Sequence, residues 1–421
     1  MARFIQIHTL TSYPASLLNR DDVGFAKRVP FGSATRTRVS SQCLKRHWRT
    51  FEGAHSLGEA GPTSIRSRLT FERYVYEPLL REGVDKPIAS AVTEALMAYV
   101  LGESEKKKAK DDDGAKAKGR RGAKKDDTSA EATEAPEASA KGGPRTAQVT
   151  VLGRPEVDYF LSVAREIAAE PPSPDKLADA IKRRFGKEGE KNLKAIKNGG
   201  LDAAMFGRMV TSDVLARGDA AVHVAHAMTV HGELAETDYF SAVDDLLKGG
   251  DDESLGSGHI GTAELTTGLF YGYVVVDVPL LVSNLTGCDR KDWEKADRDQ
   301  AADLVRRLVH LVSKVSPGAK LGSTAPHSYA QCVFVEAGDE QPRVLANAFL
   351  EPVQARGDLL ANAYRALDEH LEELDGMYGA TTARAVAAVD PKKVLTPARF
   401  GERRSLDAVA AWAAERVGGG A

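Results

Sequence analysis

Hydrophobic and polar positions change their period several times along the chain of 421 residues. Strict alternation of apolar and polar residues, as in Ile5-Gln6-Ile7-His8, predicts a β-strand, and apolar residues three and four positions apart predict a helix. The predicted strands are 4–11, 36–39, 222–230, 264–278 and 331–336. The predicted helices are a Ser-capped helix over 40–49, then 74–101, 157–169, 175–197 and 301–315, with a helical C-terminus that includes 360–374. Strands that recur from one end of the chain to the other, with helices between them, predict an α+β fold in which distant segments form one sheet.

The length of the chain predicts two or three folded units. Residues 102–148 contain no Val, Ile, Leu, Met, Cys or aromatic residue. Such a segment cannot bury enough apolar surface to offset the entropy of ordering it, so we predict a mobile insertion there.

Composition excludes several classes of protein. Hydrophobic residues make up 42% of the chain and charged residues 28%, as in ordinary globular proteins. No apolar run approaches the ~18 residues of a membrane helix, and the alternating N-terminus does not resemble a signal peptide. Three scattered cysteines provide neither a disulfide framework nor a Cys-rich zinc site. We therefore predict a cytoplasmic protein with no membrane association.

The net charge of −3 conceals two strongly basic segments. Residues 1–50 contain nine Lys and Arg residues, and their acidic residues are Asp21 and Asp22. Residues 173–200 contain eight Lys and Arg residues and four acidic residues. Nucleic-acid binding depends on local phosphate contacts rather than on mean charge, so both segments are candidate binding surfaces.

Motifs for catalysis or cofactor binding are weak. The sequence 256–261 matches G-x-G-x-x-G, but acidic residues precede it and a predicted strand follows it, so a flexible glycine loop is the better interpretation. His223, His226, His231 and His259 lie in one region of the sequence. Alternation along one strand would point His226 to the face opposite His223 and His231, so a shared zinc ion is possible only if this segment is not a strand. The expectation is a protein without cofactor or metal, in which these are structural or RNA-adjacent histidines.

The basic N-terminal block carries the clearest chemical signal. If Ser41 caps a helix, Gln42, Lys45 and Arg49 lie on one stripe of that helix, beside hydroxyl groups and the positive end of the helix dipole. Point charges and short donors of this kind suit a phosphodiester backbone. The alternative is a solvated helix face with no ligand.

These residues also carry a family resemblance. The segment from Leu18-Asn19-Arg20-Asp21-Asp22 through Phe31-Gly32 to Arg36-x-Arg38-Val39-Ser40-Ser41-Gln42-x-Leu44-Lys45-Arg46 resembles the CasC-type backbone subunit of the type I-E CRISPR Cascade complex. Further agreement comes from Gly207-Arg208-Met209-x-Thr211-Ser212, Ala225-His226-Ala227-Met228-Thr229-x-His231, Asp238-Tyr239-Phe240-Ser241-Ala242-Val243-Asp244-Asp245, Gly258-His259-Ile260-Gly261-Thr262 and Pro317-Gly318-Ala319-Lys320. The 102–148 insertion is not part of the family pattern.

The resemblance implies a hand-shaped fold with an RRM-like palm, a helical fingers insertion and a β-hairpin thumb. Mapped onto this chain, the predicted palm comprises 1–50, 201–227 and 265–421, the last with C-terminal helices. The fingers comprise 51–200 and the thumb 228–264.

The resemblance also implies a non-catalytic scaffold. Several copies would polymerise along one crRNA, displace nucleotides at regular intervals, and present the rest for pairing with a target DNA strand. The implied partners are crRNA, target DNA, further copies of the chain, and the large, small, guide 5′-end-capping and guide-processing Cascade subunits. The implied RNA-binding residues are Arg20, Lys27, Arg38, Ser40, Gln42, Lys45, Arg46, Arg49, Arg208, Met209, Phe240, Ser241, Val243 and Lys320. The implied DNA-facing residues are Lys182, Arg183, Arg184, Lys187 and Lys191.

Two other functions remain open at this stage. The first is an Mg²⁺-dependent ribonuclease that uses Asp21 or Asp22, by analogy with related backbone subunits that cut RNA. The second is a nucleotide-dependent oxidoreductase built on the glycine motif at 256–261.

Overall fold

A computed structural model describes residues 1–102, 143–195, 199–208, 218–243, 257–390 and 393–419. The predicted insertion at 102–148 therefore falls mostly outside the described residues. The chain divides into two compact units, one formed by 1–60 and 221–421 and the other by 61–220. Residues 201–220, assigned to the palm from the resemblance, thus belong to the second unit.

The first unit is built on an antiparallel sheet in which the order of the strands differs from their order in the chain. Its described strands are β1 (Phe4–Ser16), β2 (Arg28–Phe31), β3 (Ala34–Val39), β6 (Val222–Val224), β7 (Ala227–Thr229), β8 (Ala235–Val243), β9 (Ser257–Asp277), β10 (Cys332–Gly338) and β11 (Ala383–Ala388). Their order is β11-β10-β1-β9-β7-β3-β2, with β6 and β8 also paired to β9. The α+β class predicted from the sequence is confirmed.

Strand β1 is central because β9 and β10 pair with its two edges. Ile7 lies opposite Val274 of β9 and Val335 of β10. Its side chains are buried on both faces, which explains why polar Gln6 and His8 are inside the protein although they occupy the polar positions of the alternating pattern.

Helices cover both faces of this sheet. The helices of the first unit are α1 (Ser41–Thr50), α2 (Leu57–Ala60), α8 (Val278–Thr286), α9 (Asp299–Lys314), α10 (Leu359–Tyr378), α11 (Pro397–Phe400) and α12 (Leu406–Gly418), with 3₁₀ turns at Arg290–Lys295 and Ala346–Phe349. Helix α10 packs Tyr364 and Leu367 against Leu10, Tyr271 and Phe334 on one face. Helices α1 and α9 lie on the opposite face, where they border a cavity of about 40 Å³.

Three predictions for this unit need correction. The predicted strand 222–230 is two short strands, because the chain leaves the ladder at Ala225 and His226. The glycine motif is not a loop from residue 257 onward, since β9 begins at Ser257. The C-terminus is not wholly helical, because β11 lies between α10 and α12. Its sequence, Ala-Arg-Ala-Val-Ala-Ala, has little intrinsic strand preference and depends on pairing with β10.

A polar network is buried beneath α10. The Oε1 atom of Glu336 accepts hydrogen bonds from Thr382 (2.7 Å) and Arg384 (3.1 Å). His8 lies 3.4 Å from the other carboxylate oxygen and contacts the Tyr271 hydroxyl at 2.8 Å. Burial opposes ionisation of Glu336, but His8, Thr382 and the charge of Arg343 outweigh it and lower the pKa of Glu336 to about 2. The network joins β1, β9, β10 and β11 as one rigid platform.

The second unit is mainly helical. Its described elements are the strand pair β4 (Ile65–Ser67) and β5 (Thr150–Leu152), a π-helical turn at Glu72–Tyr76, helices α3 (Glu77–Arg81), α4 (Lys86–Leu101), α5 (Arg154–Ala169), α6 (Leu177–Ala195) and α7 (Leu201–Phe206), and a 3₁₀ turn at Pro174–Lys176. Phe71, Phe160 and Phe185 meet in its core. The predicted helix 74–101 is interrupted between α3 and α4, and α6 is kinked at Gly186, whose φ is +44°.

Candidate nucleic-acid interface

Helix α1 begins at a cap that differs from the predicted one. The Ser40 hydroxyl, rather than that of Ser41, accepts a hydrogen bond from the Cys43 N–H at 3.3 Å. The Ser40 N–H in turn donates to the Asn19 side chain at 2.9 Å. The cap therefore fixes the helix and also ties it to the segment that carries Arg20.

The faces of α1 separate apolar from cationic side chains. Trp48 is buried, and Leu44 packs beside Tyr13 and Phe270. Gln42 and Arg46 are exposed, and Lys45 and Arg49 are half-buried. The first turn contains no acidic residue, so the positive end of the helix dipole is not neutralised locally. The predicted stripe of Gln42, Lys45 and Arg49 is compatible with this helix.

Lys27 and Arg38 extend the positive charge from α1 onto the sheet. The Lys27 N–H donates to the Asn19 carbonyl at 3.0 Å, and the Arg38 N–H donates to the Lys27 carbonyl at 2.8 Å. Burial raises the pKa of the Cys43 thiol of α1, although the charges of Arg46 and Lys27 act in the opposite direction. Lys27 is therefore within electrostatic range of α1. We call the set formed by Arg20, Lys27, Arg38, Lys45, Arg46 and Arg49 the cationic surface.

Asp21 organises the turn that follows Arg20. Its Oδ1 atom accepts the backbone N–H groups of Val23, Gly24 and Phe25 at 3.1, 2.8 and 2.9 Å. This turn leaves Phe25 exposed, an aromatic residue that is not among those predicted from the sequence. The sequence does contain a signal for Phe25 as a candidate site residue, because it is an aromatic residue between Arg20 and Lys27.

Two basic residues of the N-terminal block have structural roles instead. Arg36 is fully buried and donates to the carbonyls of Phe349 (2.7 Å) and Thr229 (3.3 Å). Arg28 forms ion pairs with Glu233 and Glu264. Glu264 also accepts the Ala26 N–H at 2.6 Å, so one carboxylate holds both ends of this short segment.

The loop that contains Lys320 lies against the same N-terminal block. The Ala319 N–H donates to the Leu17 carbonyl at 2.9 Å, and Lys320 is half-buried. The backbone thus brings this distant residue next to the segment that leads to Arg20.

A long antiparallel hairpin rises from the sheet beside these residues. Strand β8 pairs with the first part of β9, from Ala235 opposite Thr266 to Val243 opposite Ser257. Tyr239 and Phe240 therefore lie in a strand and not in the acidic loop inferred from the sequence. The Tyr239 side chain is 63% exposed. The side chains of Phe240, Ser241 and Val243 and the tip at 244–256 lie outside the described residues.

Arg208 occupies a different setting from the one predicted. Its guanidinium forms an ion pair of 2.6 Å with Glu156, and both side chains are nearly inaccessible to solvent. Its backbone N–H donates to the Gly218 carbonyl at 2.8 Å. The guanidinium of Arg208 is thus held inside the second unit by Glu156. Met209 lies outside the described residues.

The predicted DNA-facing residues lie on α6 of the second unit. Lys182, Arg183 and Arg184 are exposed there, and Arg184 pairs with Glu166 at 2.8 Å. The side chains of Lys187 and Lys191 are outside the described residues.

His226 and His231 lie in different surroundings. The His231 ring is buried and accepts the Leu269 N–H at 3.1 Å, whereas His226 is exposed and contacts Arg38. In the part of the chain that the structure describes, there is no group of three or more His, Cys, Asp or Glu residues placed to hold a metal ion. None of the helices described there is long and apolar enough to cross a membrane.

Comparisons with known proteins agree with this architecture. Residues 5–412 match the family model Cas_CT1975, described as CT1975-like protein. One similar solved structure, titled "CRISPR RNA-guided surveillance complex, pre-nicking", has 27% sequence identity and a TM-score of 0.71, and the match covers 97% of this chain and 100% of the other.

A second solved structure, titled "CRISPR RNA-guided surveillance complex", shares the fold at 22% identity and a TM-score of 0.62, over 97% of this chain and 99% of the other. The search of curated proteins finds no match. Because the family model spans nearly the whole chain, the protein belongs to the CT1975-like family of CRISPR-associated proteins, as a backbone subunit.

Proposed function

We propose that this chain is a non-catalytic scaffold that binds guide RNA, polymerises along it in a type I-E Cascade complex, and presents it for pairing with target DNA. The observation that carries the proposal is the cationic surface. Local hydrogen bonds from the Ser40 cap and from Lys27 bring together the helix and the strand segments that carry these spaced cations. A single-stranded phosphate backbone needs such a face of spaced cations.

The order of elements supports an RRM-like description of the palm. The four strands β10-β1-β9-β7 are adjacent, with α1 after β1 and α9 after β9, as in a β-α-β-β-α-β domain. RRM domains stack bases on aromatic residues of the open sheet face. Here α10 covers the face that contains Tyr271 and Phe334, so we place the guide on the cationic surface beside α1 instead.

Binding in this mode is independent of sequence. Lys and Arg contacts to phosphate fix the path of the strand but do not distinguish bases, and base pairing then reads the target. The β8–β9 hairpin is the proposed device that displaces nucleotides at intervals, and Glu264 fixes its base to the residues that precede Lys27.

Purification tests this proposal directly. When the protein is expressed with a CRISPR array and its partner subunits, we expect it to retain RNA of one uniform length, with a periodic pattern of nucleotides accessible to chemical probes. RNA of random length, or no RNA at all, would contradict the proposed function.

A second experiment distinguishes the proposed scaffold from the alternative ribonuclease. We expect that the assembled complex, given complementary RNA and Mg²⁺, leaves that RNA intact, because Asp21 already uses one oxygen to hold three backbone N–H groups. Gel analysis of end-labelled RNA is the measurement. Regularly spaced cleavage that disappears in Asp21→Ala or Asp22→Ala would instead establish the nuclease.

A further inference from the structure

His226 contacts Arg38 of the cationic surface but has no role in the proposed scaffold. It follows β6 at the point where the chain leaves the ladder, and its ring is exposed. Arg38 Nη1 lies 2.9 Å from His226 Nδ1. The His226 ring thus accepts a hydrogen bond from Arg38, a residue that binds RNA in the proposed function.

The contact with Arg38 fixes the protonation state of the ring in the free protein. A guanidinium can only donate hydrogen bonds, so Nδ1 must accept and cannot carry a proton. The ring proton is therefore on Nε2, and His226 is neutral in this arrangement. If the ring gained a second proton, two donors would face each other and the contact would be lost.

The surroundings of His226 also favour the neutral form of the ring. Loss of part of the water around the ring, although the residue is exposed, is the largest cause that lowers the pKa of His226 below its ordinary value, and the charges of Arg38 on β3 and Lys27 just before β2 add to it. Within the described residues, the charged groups that act on His226 are both positive. An anion placed between these groups would cancel the positive field and reverse the effect on the ring.

We propose that His226 is a proton-linked guide contact, which takes up one proton from solvent when an RNA phosphate replaces its Nδ1 atom as the acceptor for Arg38. The phosphate then accepts hydrogen bonds from Arg38 and from the protonated imidazole. This inference rests on the proposed function, since it requires that the strand pass over the cationic surface.

The direction of the pH effect follows from linkage. The pKa of His226 is lower in the free protein than in the complex, so the complex binds more protons between these two values. RNA affinity must therefore rise as the pH falls through the pKa of the complex, and become constant below the pKa of the free protein. A difference of one pKa unit would raise the affinity by about tenfold.

Binding of fluorescein-labelled oligouridine to the full chain at pH 8 and pH 6 tests the proposal. We expect wild-type protein to bind up to about tenfold more tightly at pH 6. His226→Gln should lose the gain at pH 6, so that its affinities at pH 6 and pH 8 agree within about twofold, because the amide cannot be protonated. His370→Gln on α10, where the charged neighbours of the ring are Glu373 and Arg343 instead of Arg38 and Lys27, should behave as wild type.

Calorimetry in two buffers with different protonation enthalpies counts the protons directly. Uptake by wild-type protein near pH 6.5 that is abolished in His226→Gln would support the inference. RNA binding without proton uptake, or equal uptake by wild type and His226→Gln, would overturn it and leave the scaffold intact. Failure of the wild-type protein to bind RNA at either pH would overturn the proposed function itself.

Discussion

The double variant Lys45→Ala/Arg49→Ala is expected to bind single-stranded RNA about 25-fold more weakly than wild type at about 0.1 M salt. Each phosphate contact on a single strand contributes about 0.7 to the slope of log K against log salt concentration, so the two changes together should reduce the slope by about 1.4. Fluorescence anisotropy over a series of salt concentrations measures both quantities.

A matched control separates local contacts from a general loss of charge. Lys291 and Lys295 are exposed on the Arg290–Lys295 turn of the same unit, and each pairs with a neighbouring aspartate. Lys291→Ala/Lys295→Ala removes the same formal charge and should change the slope little. If both double variants weakened binding equally, or the α1 variant left the slope unchanged, the cationic surface would not be the RNA site.

Arg36→Met is expected to lower the free energy of unfolding by about 4 kcal/mol, because each buried carbonyl left without a donor costs about 1–3 kcal/mol. The Arg36 side chain is fully buried and supplies hydrogen bonds to Phe349 and Thr229. Methionine preserves much of the volume but donates no hydrogen bond. Urea unfolding followed by tryptophan fluorescence reports the first unit, because all three tryptophans lie in it.

Arg38→Met provides the comparison for this experiment. Arg38 is two residues farther along β3, but it is half-buried and belongs to the proposed binding site. We expect it to cost only about 1 kcal/mol of stability while it weakens RNA binding. Equal stabilities of Arg36→Met and Arg38→Met would refute the structural role assigned to Arg36.

The sequence allowed the helix α1 and its cationic face to be predicted, because a cap, a buried Trp48 and spaced cations are all local signals. It did not separate the cations proposed to bind RNA from the structural ones. Arg28, Arg36 and Arg38 look alike in the sequence, yet the structural roles of Arg28 and Arg36 depend on Glu233, Glu264 and Phe349, which lie hundreds of residues away. Local pattern cannot reveal partners that only the sheet brings together.

The β8–β9 hairpin shows that a local sequence pattern can also fail to predict a strand. Residues 235–243 contain Glu, Thr and Asp beside a single aromatic pair, a composition typical of a loop. Pairing with β9 along its whole length makes this segment a strand. Likewise, the resemblance implied an RNA contact for Arg208, and nothing in the sequence indicated that the buried Glu156 carboxylate pairs with its guanidinium inside the second unit.

Helix α10 has a consequence for inheritance. Since it seals Tyr271 and Phe334 under Tyr364 and Leu367, neither of these two rings is left to prefer a purine over a pyrimidine. Under the proposed scaffold function, a host that acquires a new spacer can load it onto the existing polypeptide, and its immune memory can be rewritten in nucleic acid alone.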